Sequence, residues 1–554
     1  MKIFSIQFNR NNYFNRIVIP IAAIILFTFF IYPSIYEFAK IAYSRITLEY
    51  DLEWEEGLML TAAHVYGSTG NLYTIPSVNF ISTLYPPLYF LFLSLFIDVV
   101  SNFYLAGRIL SLFFFAGSMY FLYILLKSRY KTPFSIFAAL AMFSAYPLSG
   151  YWFDVIRVDS CAIFFIMLTG ISPLFRIKKQ FKPVVVAFLF VLAVFTKQSS
   201  LLLVAPLSAY WILKGDIKYF FYQIFITTIF LSAAILYWQL KTDGLFLIYT
   251  WEIGNSHKYI LNSMSLSIFY FYSFIKQLTP YITFLIFTGT AALAVLLFRN
   301  IRRFFSIRNR GNIFKTENYL NIPEMQIRDM YLILFAFALF AMTFLLSIHP
   351  GTFFNNNIPM LYGSVILFSI SSHFITYPIY KFFSHKKFRI YLKILPFIFI
   401  AYFTNSNHSA KKLLALLPDP SVTPEERSEI YRFKKIINIP RSVFASEVSI
   451  APLSDWKMTS GFHSMSLADL RNHPEMKRAF DDSMDKFNCR KYDLIIDSNI
   501  NNCSHDFIEL KINTFGIDTT KLRSHTGLPY FPKTFFIRRE YLPEFEKIID
   551  NLSK

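Results

Sequence analysis

Apolar runs about as long as a bilayer is thick recur through the first 404 residues of this chain and then stop. A helix needs about 20 consecutive apolar residues to cross the hydrocarbon core. Such runs lie near 17–38, 104–126, 133–149, 160–175, 183–196, 198–213, 217–240, 277–298, 331–348, 358–380 and 390–404, with a shorter one at 86–100. Charged residues make up 16% of the 554 residues, where soluble domains carry about 25%, and the mean hydropathy is +0.41. Sixty-six Phe and thirty-five Tyr add rings suited to a membrane boundary. The first run follows Lys2, Arg10 and Arg16. It is too long for a secretory signal and lacks a small-residue cleavage site, so it reads as a retained first span.

The bases fix an orientation. Net charge is +19, but the bases form short clusters between apolar runs instead of one soluble face, so nucleic acid is not an expected partner. The clusters are Lys127/Arg129/Lys131, Arg176/Lys178/Lys179/Lys182, Lys214/Lys218, Arg299 through Arg310, and Lys381 through Lys393. All can stay cytoplasmic only if the 86–100 run does not cross. That run is short and opens with Pro86-Pro87, as a re-entrant or juxtamembrane helix would. The expected fold is therefore a polytopic α-helical membrane protein with about eleven spans plus this half-buried helix. Residues 1–404 form the membrane part, with a first outer loop at 39–85, and 405–554 form an extracytoplasmic α/β domain. The N-terminus is expected in the cytoplasm and the tail outside. In the tail, Val443-Phe444-Ala445, Tyr492 through Asp497 and Phe535-Phe536-Ile537 read as strands, and Thr423-Pro424-Glu425-Glu426 reads as a helix start. Cys489 and Cys503 are candidates for a disulfide if the tail lies in an oxidising compartment.

This orientation gathers polar residues on the outer face. Residues 49–56 carry five carboxylates: Glu49, Asp51, Glu53, Glu55 and Glu56. Glu53 and Glu56 share a face if the segment is helical. A pair like this can hold a divalent cation, or one member can act as a base with its proton affinity raised by its neighbour. A solvated acidic loop, or acids complementing a helix N-terminus, explains the same residues structurally. Asp154, Arg157 and Asp159 open the next outer cluster, where Arg157 suits a phosphate clamp or an internal Arg–Asp pair. Lys197-Gln198 interrupts an apolar stretch, which marks either a functional ionisable group or a snorkelling one. Tyr85 precedes the Pro-Pro turn. Trp251, Asn255, His257, Lys258 and the Asn355-Asn356-Asn357 run offer groups suited to sugar hydroxyls, or simply form polar loops. No P-loop, Cys/His metal spacing or G-x-S-x-G occurs, so no nucleotide cofactor is expected.

The order of these motifs resembles the GT-C superfamily of integral-membrane glycosyltransferases. It runs acidic loop, Tyr-Pro-Pro-Leu at 85–88, Arg-Val-Asp at 157–159 and Phe-Thr-Lys-Gln at 195–198. The superfamily includes protein O-mannosyltransferases and the aminoarabinose transferases that modify lipid A. The chain is most similar to a bacterial branch with an acidic Trp-containing loop and a Thr-Lys-Gln motif. The resemblance implies an inverting glycosyltransferase in the bacterial inner (plasma) membrane. Its donor would be a polyprenyl-phosphate-linked sugar, and its acceptor a glycan, a lipid or a protein. It implies a catalytic acid residue among Glu56, Glu53, Glu55 and Asp51, with Glu56 ranked first. Arg157, Lys197 and Tyr85 would meet the donor phosphate. Asp159, Gln198, His257, Lys258, Asn355 and Asn356 would contact substrate. Mg or Mn held by Glu53 and Glu56 is a further expectation. A transporter, flippase or polymerase of lipid-linked glycans is the alternative. A periplasmic reporter fused after residue 404 is expected to be active; a cytoplasmic signal there would overturn the orientation.

Overall fold

A computed structural model describes residues 19–53, 55–100, 102–254, 324–347, 353–382, 393–413, 420–438, 440, 442–445, 459–460, 467, 470, 473–496, 505–511 and 534–553. Among the described residues, the regular structure of the membrane part is helical apart from one isolated bridge, Ser77–Phe80. Helix α1 (Pro20–Ile46) contains a π-helical stretch at Phe27–Ile31 and is followed by α2 (Glu56–Thr69) within the 39–85 segment. Next come α3 (Leu88–Ile97), α4 (Phe103–Lys127), α5 (Thr132–Leu140) and α6 (Val158–Ile171). Helices α7 (Lys182–Val194), α8 (Val204–Leu213), α9 (Ile217–Lys241), α10 (Glu324–Ser347), α11 (Ile358–Phe382) and α12 (Leu395–Leu413) follow among the described residues.

Four helices among the described residues, α1, α4, α9 and α10, are each long and apolar enough to cross a membrane. The chain is an integral membrane protein. The expected run 277–298 lies outside the described residues. Helix α3 has ten residues, about 15 Å at the helical rise, half of what a crossing needs. The expected break at Lys197-Gln198 is real: α7 ends at Val194, Lys197 is extended, and a 3₁₀ stretch, Gln198–Leu203, leads into α8. Helix α12 runs past residue 404 to Leu413, so the expected domain boundary falls within a helix.

Loops sort to two ends. At one, Arg129 pairs with Asp329 at 2.5 Å and Lys179 with Asp216 at 2.6 Å. At the other lie the acidic loop, the Pro-Pro turn, residues 150–157, the 195–198 break and the Asn run, tied together as described below. Helices α4 and α6 pack closely. A Cβ on Gly107 would lie 2.8–2.9 Å from three atoms of the fully buried Ile156 side chain, so the absence of a side chain there lets the 154–157 segment approach α4.

The tail forms a five-stranded mixed sheet in the order β2-β1-β3-β5-β4. Its strands are β1 (Val443–Ala445), β2 (Thr459–Ser460), β3 (Leu494–Ile496), β4 (Phe507–Lys511) and β5 (Thr534–Arg538). Strand β1 runs parallel to β2 and β3, while β5 is antiparallel to β3 and β4. The three expected strands are β1, β3 and β5. Helices α13 (Pro424–Ile437), α14 (Pro474–Asp485) and α15 (Leu542–Ser553) accompany the sheet. Thr423 and Glu426 close a reciprocal capping box at the expected start of α13. Cys489 is disulfide-bonded and Cys161 is a free buried thiol, while Cys503, the expected partner of Cys489, lies outside the described residues.

The Gly107–Ile156 contact gives a packing prediction. Gly107→Val overfills a closed site, at a cost of about 1–3 kcal/mol. A lowered Tm in detergent is expected, and an unchanged Tm would mean that Ile156 can give way.

Candidate active site

The acidic loop does not treat its five carboxylates alike. Glu56, the first residue of α2, is 0% exposed. Its Oε2 pairs with Arg108 Nη2 at 2.7 Å and accepts the Leu52 N–H at 2.7 Å. Its Oε1 accepts from Arg108 Nε at 3.2 Å and from the Ile156 N–H at 2.9 Å. The remaining Arg108 donors go to the carbonyls of Arg45, Leu48 and Tyr50. Glu56 therefore faces inward with both oxygens occupied. These bonds hold it as part of the scaffold and leave neither oxygen without a partner. Asp51 accepts from Tyr104 Oη at 2.7 Å, and burial pushes its carboxyl well above the usual range. Beneath the loop, Arg45 pairs with Asp154 at 3.4 Å and donates to Tyr146 Oη at 2.9 Å.

Glu53 and Glu55 turn the other way, to Arg157. Glu55 and Arg157 form an ion pair, and Glu53 Oε2 lies 3.4 Å from the same Nη1. Arg157 Nη2 donates to Tyr85 Oη at 3.0 Å, and its guanidinium lies over the rings of Tyr85 and Trp152 at 5.6 and 5.1 Å. Stacking and ion pairing together fix a planar cation. Three atoms of this cluster are buried without a hydrogen-bond partner, two on charged side chains, Glu53 Oε1 and Arg157 Nε, and the third Trp152 Nε1. Glu53 is 2% exposed. Burial raises its carboxyl from 4.5 to about 8; Arg157 opposes the rise, and the charges of Glu56 and Asp159 add to it.

A second cation completes the face. Lys197 Nζ donates to Asp159 Oδ1 at 2.7 Å and to Asn356 Oδ1 at 3.3 Å. Asn355 Nδ2 donates to both Asp159 oxygens at 3.3 Å. Lys197, Asp159, Asn355 and Asn356 are all buried and meet from three separate segments. Gln198 is a clasp: its amide donates to the carbonyls of Leu84 at 2.7 Å and Thr250 at 2.9 Å. Nearby, the Leu88 N–H donates to Phe195 O at 3.0 Å and fixes α3 to the break. Trp251 is exposed, and Trp54, Asn255, His257 and Lys258 lie outside the described residues.

The structure thus brings together Glu53, Glu55, Arg157 and Tyr85 as one group, and Lys197, Asp159, Asn355 and Asn356 as another. Arg108, Arg45 and Tyr104 did not stand out in the sequence. Arg108 carried a readable signal, a charge within the apolar run 104–126, of the kind that marked Lys197. The expected cation seat on Glu53 and Glu56 does not fit this geometry, because Arg108 and two amides already occupy Glu56. Among the described residues no group of three or more His, Cys, Asp or Glu side chains is disposed to hold a metal.

Two substitutions separate the acids. Glu56→Gln leaves the Arg108 charge uncompensated in a closed site, and loss of one partner of a buried pair costs about 3–5 kcal/mol. Glu53→Gln does the opposite. The folded carboxyl binds its proton more tightly than the unfolded one, so wild-type stability is expected to fall as pH rises from about 4.5 to about 8. Thermal unfolding against pH should show a large Tm loss for Glu56→Gln, and for Glu53→Gln a flatter profile in that window. A sloped profile retained by Glu53→Gln would show that another group titrates there.

No family profile matches the sequence, and no curated protein matches it either. Solved structures do. The chain is similar to ArnT from Cupriavidus metallidurans in the apo state, with TM-score 0.50 and 10% identity over 91% of this chain and 97% of that one. The same protein bound to undecaprenyl phosphate gives 0.49 at 10% identity, again over 91% and 97%. An Archaeoglobus fulgidus oligosaccharyltransferase tethered to an acceptor peptide gives 0.42 at 10% identity, over 92% of this chain and 70% of that one. At this identity the likeness to apo ArnT is one of fold alone.

Proposed function

We propose that the chain is an inverting glycosyltransferase that moves a sugar from a polyprenyl-phosphate donor to a glycan, lipid or protein acceptor outside the cytoplasm. The observation that carries this reading is the pair of unpartnered buried atoms on charged side chains in one cluster, Glu53 Oε1 and Arg157 Nε. An acceptor in need of a base and a donor in need of a cation would satisfy both. The fold shared with ArnT, a protein also solved with undecaprenyl phosphate bound, supports the class of donor.

In this reading Glu53, not Glu56, is the base. Its proton affinity near neutral suits a group that must take up a proton during turnover. The acceptor hydroxyl loses its proton to Glu53, and its oxygen bonds to the anomeric carbon as the bond to the lipid phosphate breaks. Charge developing on the leaving phosphate is met by Arg157 and Lys197. The sugar lies between Glu53 and these cations, with Tyr85, Asp159, Asn355 and Asn356 as its polar surroundings. The transition state is oxocarbenium-like, and one displacement inverts the centre. Gln198 and Glu56 hold the scaffold. No step requires a nucleotide. The site faces the periplasm of a bacterial inner membrane, with the N-terminus in the cytoplasm.

Mass spectrometry of surface glycans, from cells with and without the protein, is the direct test. Loss of one sugar modification is expected without it. Glu53→Gln should match the deletion, a loss of at least about 100-fold in transfer by the removal of a general base, with the protein still folded and inserted. Residual wild-type activity should rise with pH through about 8. Normal glycans from Glu53→Gln cells would remove Glu53 from the role.

A further inference from the structure

The tail is built into the site face. Its helix α13 lies along the segment that leads into the acidic loop. Lys434 forms an ion pair with Glu49. Arg427 donates to the Ser44 carbonyl and, at 3.3 Å, to Thr47 Oγ1. The Val422 N–H donates to Ser44 Oγ at 3.3 Å. The Phe433 ring meets Tyr50 edge-on at 6.2 Å and stacks on Phe535 of β5 at 6.3 Å, so buried apolar contact runs from the loop into the sheet. From the opposite side, Asn102 Nδ2 donates to Glu49 Oε1 at 2.8 Å, and Arg108 holds the Tyr50 carbonyl.

Two further contacts widen the seat. The Val78 N–H donates to Ser483 Oγ at 3.2 Å, and His473 lies 3.6 Å from Glu252. Each docked segment also carries or secures part of the site. The first leads to Glu53 and Glu55. The second leads to Tyr85, whose carbonyl accepts from Tyr73 Oη at 2.7 Å. The third contains Thr250, which Gln198 holds.

We propose that α13 is a positioning element of the active site, in which Lys434, Arg427 and Phe433 set the acidic loop that presents Glu53 and Glu55 to Arg157. This inference rests on the glycosyltransferase reading for its consequence, though not for its geometry. Segment 47–52 has no helix or strand of its own. Its path is fixed by side chains on either side, so releasing one side displaces Glu53 and Glu55 with it. Glu49 and Lys434 touch no substrate group and act through the loop.

The test uses the full-length protein in lipid nanodiscs, with undecaprenyl phosphate as the probe. The variants are K434E, E49K, the double exchange, K434R and R427A. Hydrogen exchange reports the peptide covering 44–56, and equilibrium binding reports the probe. In K434E and R427A the 44–56 amides should exchange faster while the distant Arg129–Asp329 region stays unchanged. Probe affinity should drop about fivefold, the upper worth of one partly exposed ion pair. K434R should behave as wild type. The double exchange should recover to within about twofold, since Lys at 49 can pair with Glu at 434 but cannot accept from Asn102. Unchanged exchange in K434E and R427A, or a double exchange no better than its worse parent, would overturn the proposal. If wild-type protein does not bind the probe, the functional reading fails, and the exchange data alone decide whether α13 sets the loop.

Discussion

Arg108 has five N–H donors, no exposure to water, and a position near the start of a helix that otherwise reads as a membrane span. Burying such a cation is costly unless it is paired and its donors are met. Glu56 supplies the charge, and three carbonyls from the end of α1 and the loop after it supply the rest. The Ile156 N–H then adds the 154–157 segment to the same carboxylate. One ion pair thus ties together α1, α2, α4 and the turn before α6. Arg157 lies one residue beyond Ile156, and Glu53 three before Glu56. The orientation of the reactive-looking groups follows from the burial of the inert ones.

This arrangement explains why adjacent acids differ in chemistry. Glu56 is as buried as Glu53, but a full complement of donors compensates it. Glu53 has a distant share of one guanidinium and an oxygen with no partner, so desolvation dominates. The same loop therefore provides an anchor with both oxygens hydrogen-bonded and, three residues away, a carboxyl that holds a proton near neutrality. Asp51 is desolvated too, but its partner is a neutral phenol.

Much of the scaffold was readable because single-residue hydropathy determines it. The four long apolar helices, the short α3 after its two prolines and the interruption at Lys197 are all set by where apolar runs start and stop. Strands β1, β3 and β5 were readable as short apolar runs. Strand β4 was not: Phe507-Ile508-Glu509-Leu510-Lys511 lies at the sheet edge with charges on its open side. The grouping of Lys197 with Asp159 and the Asn run was also readable, since the order of apolar runs and basic clusters brings these segments to one end. The acids could not be ranked from sequence. Five carboxylates in eight residues look equivalent until closure assigns Glu56 to Arg108, 52 positions later, and Glu49 to Lys434, 385 positions later. Local pattern holds no information about pairings at that separation.

That last separation bears on synthesis. The acidic loop emerges among the first residues, whereas its partner on α13 comes almost 400 residues behind. At ordinary translation rates of about 5–20 residues per second, that interval is roughly 20–80 s. Arg108 and Ile156 arrive early in it and can seat Glu56 while the ribosome is still engaged. Glu49 and the backbone at 44–50 must wait for the partner that α13 brings. The order of emergence lets the ion pair beneath the loop form first and the clamp above it only later. A nascent chain stalled before residue 420 would present the anchor without the clamp.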